Sequence, residues 1–398
     1  MEMNEADPVV IVGAARTPLA GFQGELKDVV ASELGAIAIR AILERAGLQP
    51  DVVDEVLFGC VLTAGQGQAP ARQAALGAGL PSAVGATTIN KMCGSGMKAV
   101  MLAHDLITAG SIGIAVAGGM ESMSNAPYLL DRARSGYRMG HGRIVDHMFL
   151  DGLEDAYDQG RLMGAFAEDC ADAYQFTRSG QDAFALSSLE KAQRAMRDGG
   201  FAEEIAPVAL KARSGVSMII EDEQPRKARI DKIPMLKPAF RDGGTVTAAN
   251  ASSISDGAAA LALMRHSTAE SRGRAPLAVI RGHGTYANRP DLFPTAPIGA
   301  ISVLCERIGW AIRDVDLFEI NEAFAVVPMA AMRDLDLPAD KINIHGGACA
   351  LGHPIGASGA RIIVTLVSAL RRHGLRRGVA AVCIGGGEAT AIAVEAAA

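Results

Sequence analysis

A short pattern repeats across the chain at a constant offset, and it constrains the fold more than any other feature. Glu44-Arg45-Ala46-Gly47 followed by Val53-Asp54 recurs as Glu306-Arg307-Ile308-Gly309 followed by Val315-Asp316. Each copy closes a helical stretch with glycine and enters a short acidic turn and strand. Two shorter echoes accompany it: Cys93-Gly94-Ser95-Gly96 with Gly356-Ala357-Ser358-Gly359, and Val116-Ala117-Gly118-Gly119 with Cys383-Ile384-Gly385-Gly386. We read duplication of one α/β unit. A chain of 398 residues also exceeds what one hydrophobic core serves, so two fused halves are expected.

The apolar runs support that reading. Strands are predicted over 9–12, 55–58, 112–117, 277–283, 317–320, 341–344 and 378–384, where apolar and partly β-branched centres suit buried sheet positions. Helical spacing predicts helices over 32–46, 69–77, 94–108, 179–197, 297–308, 323–333 and 356–373. The two kinds interleave at both ends of the chain, which favours layered α/β packing. Apolar residues make up 49% but aromatics only 4%, with 45 glycines, so elements should approach closely. Between the halves, residues from about 127 to 250 carry charge clusters and methionines, as a loop-rich insertion lying over a site would. Within it Arg213, Arg226 and Lys227 are candidates to meet phosphates, or a solvated face.

The net charge of −6 argues against a nucleic-acid surface. Six cysteines, with no CxxC pair, are too sparse for a disulfide scaffold and fit a reducing, cytoplasmic setting. The acidic start lacks the basic and apolar regions of a secretory signal, and the apolar segments are too short to span a bilayer. No metal-ligand spacing stands out.

Cys93 sits where a strand-like approach meets a glycine-loosened helix start, so free N–H groups there are expected to favour its thiolate. His353, in Gly352-His353-Pro354, and Cys383, before Gly385-Gly386-Gly387, are two further reactive groups set among glycines. Each cysteine taken singly is equally well a small buried hydrophobe; the three together suggest a covalent enzyme.

Four segments then carry a family resemblance: Asn90-Lys91-Met92-Cys93-Gly94-Ser95-Gly96, Asn321-Glu322-Ala323-Phe324, Gly352-His353-Pro354-Ile355-Gly356-Ala357-Ser358-Gly359 and Cys383-Ile384-Gly385-Gly386-Gly387. In this order they resemble the active-site motifs of the thiolases, over essentially the whole chain. The resemblance implies an α/β thiolase fold: two duplicated halves in a five-layered α/β/α/β/α core with an inserted loop domain. Residues 1–124 and 255–275 would form the first half, 125–254 the loop domain with its coenzyme A contacts, and 276–398 the second half. It implies acyl transfer through Cys93 as nucleophile, with His353 accepting its proton and Cys383 as acid and base for carbon–carbon bond formation. A water held by Asn321, together with His353, would form one oxyanion hole; the N–H groups of Cys93 and Gly385 would form the other. Glu322 would orient that water, tune a thiol, or simply bond free N–H groups. Ser252, Met163, Leu153, Phe240 and Phe324 fall at positions lining the pantetheine arm.

Coenzyme A is then substrate and product, with acyl-CoA and acetyl-CoA as partners and no tightly bound cofactor. Short-chain biosynthetic members have histidine where this chain has Leu162, which leaves acyl preference open between acetoacetyl-CoA formation and broad-range degradation of 3-ketoacyl-CoA. Residues 136–151 resemble the loop through which the biosynthetic type forms tetramers, a dimer of dimers. A carrier-protein-dependent ketoacyl synthase would carry Cys-His-His and lack the Cys383 motif. A non-catalytic acyl-CoA binding module would need no convergent reactive groups.

Overall fold

The computed structural model describes residues 7–212 and 215–397. Its centre is a ten-stranded mixed sheet of β1 (Val9–Arg16), β2 (Ala20–Gly21), β3 (Glu55–Gly59), β4 (Gly85–Ile89), β5 (Ile114–Ser122), β6 (Ser255–Arg265), β7 (Ala278–Ala287), β8 (Leu317–Ile320), β9 (Arg377–Ile384) and β10 (Glu388–Ala396). The main helices are α1 (Ala31–Ala46), α2 (Pro70–Gly77), α3 (Ser95–Thr108), α4 (Met163–Tyr174), α5 (Arg178–Arg197), α6 (Ala296–Ile308), α7 (Val326–Asp334) and α8 (Ile355–His373).

The strand order is β8-β9-β10-β7-β1-β6-β5-β3-β4, with β2 on the start of β6. Five strands of the first half, β4-β3-β5-β6-β1, are matched by β8-β9-β10-β7 of the second. Only Val10–Val279 and Ile11–Ala278 pair across the join. Alternation along the strands sorts side chains into separate layers. Ala258, Ala260, Ala262 and Met264 of β6 pack toward α1 and α2, while Ala259, Leu261 and Leu263 face α3 and α8. Val379, Ala381 and Cys383 of β9 pack with α6 and α7, while Ala380 and Val382 join the same central cluster as α3 and α8. The result is five layers, with two helices at the centre, two strand layers around them and helices outside. Buried on both faces, β5 and β6 are largely apolar.

The repeat has a backbone cause. Asp54 Oδ2 accepts the N–H groups of Gly113 (2.7 Å) and Ile114 (2.8 Å), pinning the start of β5. Asp316 Oδ2 does the same for Arg376 (3.0 Å) and Arg377 (2.8 Å) at the start of β9. Gly47 (φ 61°) and Gly309 (φ 69°) close α1 and α6 in the left-handed region. The Gly96 and Gly359 echo is also real. A Cβ on Gly96 would lie 2.9 Å from the Ala360 nitrogen, and one on Gly359 would lie 2.5 Å from the Met97 nitrogen. The two central helices thus cross reciprocally at glycines.

The third echo is chance. With Ile114 in the place of Arg377, Val116 corresponds to Val379 and not to Cys383. The expected strand at 341–344 is also absent: Ile342 makes one bridge to Phe318 and stands in for β4.

Between β5 and β6 the chain leaves the sheet. This excursion carries α4, α5 and the hairpin Val208–Ala212 with Gly215–Ile219, whose described residues stand apart from the large sheet. It is tied down by Arg16 of β1. That guanidinium is fully buried and bonds Glu204 (2.9 Å) and Asp222 (2.7 and 2.9 Å).

Candidate active site

The turn before α3 is built to expose one side chain. Met92 takes a left-handed φ of 48°, uncommon for a residue other than glycine or asparagine. Its N–H is held by Asn90 Oδ1 (3.0 Å). Ser95 Oγ accepts from the Lys91 N–H (2.8 Å) and donates to the Met92 carbonyl (2.6 Å). Lys91 is paired with Glu388 of β10, which ties the turn to the second half. Cys93 is thereby presented at the mouth of the helix. Gly94 is required beside it, since a Cβ there would meet Ile384 Cδ1.

Cys93 lines a cavity of about 370 Å³ whose walls also include His353, Cys383 and Gly385. His353 follows Gly352 (φ 109°) and precedes the first turn of α8. Its backbone N–H reaches the Ser253 carbonyl (3.1 Å) and Ser255 Oγ (3.2 Å). Nδ1 lies 2.5 Å from Ser358 Oγ, whose own proton goes to the Pro354 carbonyl (2.9 Å). That assignment makes Nδ1–H the donor and leaves the Nε2 lone pair free, and Nε2 is buried without a partner. Asn321, fixed at the end of β8, sits against the same ring with Nδ2 3.5 Å from Nδ1, and its Oδ1 is likewise buried and unpartnered. Two orphaned acceptors, one on the cavity wall and one on a residue packed against that same ring, call for a donor-bearing guest or water.

Burial decides the resting protonation states. Desolvation pushes the Cys93 thiol up to about 11, although the N–H groups of Gly385 and of Cys93 itself point at the sulfur and oppose the rise. The N–H groups expected to favour a thiolate are in place, but burial outweighs them. Cys383 is raised further, first by burial and then by the neighbouring Cys93. Burial, with the charge of Arg361, lowers His353 to about 3, so the imidazole is neutral at physiological pH. At rest the site holds two thiols and a free base.

The remaining wall is apolar. Ser252, Met163, Leu153, Phe240 and Phe324 all line this cavity. Phe240 and Phe293 both meet Phe324 edge-on, at 5.9 and 6.4 Å between centroids. Leu162, beside Met163, adds another aliphatic group. Arg213 lies outside the described residues. Arg226 and Lys227 are already matched by carboxylates, Arg226 by Glu25 at 2.6 and 2.7 Å and Lys227 by Glu223, which removes them as phosphate anchors. Glu322 faces away from the cavity and accepts from Asn343 Nδ2 (2.8 Å), Ser188 Oγ (2.7 Å) and the Cys349 N–H (3.0 Å). Of its expected roles, bonding a free N–H group is observed at Cys349, whose thiol is pushed up by burial and by the Glu322 charge together.

Sequence reasoning missed three residues. Ser358, which sets the imidazole tautomer, lay inside a quoted motif but read only as a helix start. Nothing in the composition marks Met92 as left-handed. Glu121, at the end of β5, is fully buried and accepts from Val61 (3.0 Å), Leu62 (3.1 Å) and Gly356 (2.9 Å), bracing the loop before the cavity against α8.

Residues 9–267 match the thiolase N-terminal domain and residues 274–396 the thiolase C-terminal domain. The chain belongs to the thiolase family. This thiolase is 49% identical to an acetyl-CoA acetyltransferase of Cupriavidus necator, over 97% of this chain and 99% of that one. A probable acetyl-CoA acetyltransferase of Dictyostelium discoideum is 48% identical over 98% of this chain and 94% of its own. The crystal structure of the Bacillus anthracis acetyl-CoA acetyltransferase superposes on the thiolase with a TM-score of 0.95, at 41% identity, covering 98% of this chain and 99% of that one. Among the described residues no helix is long and apolar enough to cross a membrane.

Proposed function

We propose that this thiolase is an acetyl-CoA C-acetyltransferase that joins two acetyl-CoA molecules reversibly through an acetyl-Cys93 intermediate. The observation that carries the reading is the convergence of Cys93, His353, Cys383 and the Gly385 N–H on one cavity. Because thiol and imidazole are both neutral at rest, the Cys93 proton passes to His353 Nε2 as the sulfur attacks the thioester carbonyl. The Cys93 and Gly385 N–H groups receive the developing oxyanion. The carbon–sulfur bond to coenzyme A then breaks, and the departing thiolate takes the proton from His353.

In the second stage His353 Nε2, free again, takes the Cys383 thiol proton, and the Cys383 thiolate removes a proton from the methyl carbon of the next acetyl-CoA. The enolate oxygen accepts from the Nε2–H now on His353 and from a water held at Asn321. The enolate carbon attacks the acetyl carbonyl and Cys93 leaves as thiolate; it takes the proton held by Cys383, and His353 returns its proton to Cys383. Ser252, Met163, Leu153, Phe240 and Phe324 line the path of the pantetheine arm. A neighbouring hollow of about 270 Å³ shares Ala248 and Ser253 with this cavity and is lined by Lys232, which suits the phosphates of coenzyme A, and by Arg229, which Asp231 already engages at 3.3 Å. In this reading residues 125–254 are the loop domain that holds the cofactor-like end of the substrate.

A second reading, broad-range 3-ketoacyl-CoA thiolysis, is favoured by Leu162 and the aromatic wall, which offer a longer acyl chain an apolar bed. Assays with acetoacetyl-CoA against longer 3-ketoacyl-CoA esters separate the two. The six free cysteines suit a cytoplasmic, reducing setting. The excursion at 126–146 exposes Tyr128, Met139 and Ile144, with Met139 97% exposed, and supports a dimer of dimers through that loop. Brief exposure to acetyl-CoA followed by intact-protein mass spectrometry tests the chemistry. The wild type should gain one acetyl group, and Cys93→Ser none; a persistent adduct on the variant, or normal turnover by it, would sink the assignment.

A further inference from the structure

A second hollow, of about 330 Å³, opens where the two halves meet at the far end of α3. Thr108, the last residue of that helix, lines it, whereas Cys93 lies just before the first. A fourteen-residue helix separates the two by about 20 Å. The described residues around the hollow carry four arginines against two carboxylates, in a chain whose net charge is −6.

The carboxylates are already committed. Glu395 Oε2 takes Arg281 Nε and Oε1 takes Arg376 Nε, each at 2.5 Å. The Asp7 carboxylate turns to Ser267, accepting its N–H (2.8 Å) and hydroxyl (2.7 Å). Arg265 spends two donors on the neutral carbonyls of Asp7 (3.0 Å) and Thr108 (2.7 Å). Arg377 lies over the ring of Trp310, 5.0 Å from its centroid, with no carboxylate partner among the described residues. Among the described residues the concave wall thus carries two more guanidinium charges than carboxylates, Arg265 acting on the Asp7 carboxylate only at longer range.

We propose that this hollow binds a diphosphate-bearing anion, with Arg377 and Arg265 facing its oxygens and Trp310 forming one wall. Planar guanidinium forks match phosphate oxygens in pairs, and two surplus charges suit a diphosphate better than a single carboxylate. A nucleoside diphosphate and free pyrophosphate share that chemistry. The site is separate from the acyl-transfer cavity and does not depend on the reaction assigned there.

Trp310 is the single tryptophan of the chain, so its fluorescence reports on this wall. The full-length enzyme would be titrated with ADP and with pyrophosphate, by fluorescence and by calorimetry. Saturable binding of both supports the site through the diphosphate alone; binding of ADP only assigns it to a nucleotide. Arg377→Gln and Arg265→Gln should each weaken binding about tenfold or more, while the condensation constants of Arg377→Gln stay at wild-type values. Absence of saturable binding by either probe overturns the proposal. So does unchanged affinity in both variants with native circular dichroism.

Discussion

The two central helices start in equivalent places but are treated in opposite ways. At the start of α8, Glu121 from the first half reaches across and accepts the Gly356 N–H, a carboxylate placed against the positive end of a helix. In the second half the place of Glu121 is taken by Ile384, whose side chain lies over Gly94 at the start of α3. One helix start is capped by the other half; the other meets a hydrocarbon. A carboxylate beside Cys93 would compete for the N–H groups and raise the energy of any anion formed there. The duplicated scaffold therefore supplies two similar helix starts, and the nucleophile occupies the one from which the cap is withheld. Even Glu121 feels its burial, which raises it to about 7 against the pull of three N–H groups.

The sharpest test of this asymmetry separates the two thiols. Cys383→Ala should still accept one acetyl group on Cys93 with release of coenzyme A, yet lose condensation by on the order of 10⁴-fold or more, as when one member of a catalytic unit is removed. Adduct mass and turnover are measured on the same sample. Failure to acylate would mean that Cys383 serves the first stage as well, and full condensing activity would reduce it to packing.

His353 and Asn321 come next. His353→Ala should slow both acylation and α-proton exchange on acetyl-CoA, because one imidazole serves both stages. Asn321→Ala should cost about a hundredfold in exchange, the usual loss for one oxyanion contact, and much less in acylation. Equal damage at both stages with native circular dichroism breaks this division. The pH dependence has a definite sign. With the Cys93 thiol at about 11 and His353 at about 3, alkylation of free Cys93 by iodoacetamide should keep climbing from pH 6 to pH 9, and a plateau near neutrality would reveal a thiolate–imidazolium pair at rest. For stability, His353 has a folded value below its unfolded 6.5. Its contribution is complete above that pH and is lost as pH falls toward about 3.

Much of this was legible because local pattern and chemistry coincide. The helix ending at Gly47 and its copy ending at Gly309 could be seen because a left-handed glycine and a pinning aspartate must recur wherever the same turn recurs. Cys93, His353 and Cys383 stood out as reactive groups among glycines. What stayed hidden depends on tertiary context. Strands β6 and β10 are alanine-rich, and alanine has little preference for strands; they form through pairing with neighbours on both sides and close packing on both faces. Helix α4 was not marked, although Met163 at its start was placed at the pantetheine arm. How far burial outweighs the N–H groups at Cys93 is not legible, since the helix start is visible in sequence while the depth of burial is not. Arg226 and Lys227 read as available cations because Glu25, which engages both, lies some two hundred residues away.

Smaller effects test the symmetry of the frame itself. Gly359→Ala places a methyl 2.5 Å from the Met97 nitrogen, where only backbone can yield, and should destabilise by about 3 kcal/mol, the upper end for overpacking. Gly96→Ala, at 2.9 Å from the Ala360 nitrogen, should cost somewhat less. Asp54→Ala and Asp316→Ala should cost least, about 1 kcal/mol each, since each removes one carboxylate from two N–H groups near the surface. Asp316 is the less exposed of the pair, so its loss should be the larger, and urea unfolding midpoints can rank the two. If Asp54→Ala shifts the midpoint more than Asp316→Ala, the first half depends on its aspartate for more than fixing the start of β5. The two turns would then be alike in sequence and hydrogen bonding but not in the load that each carries.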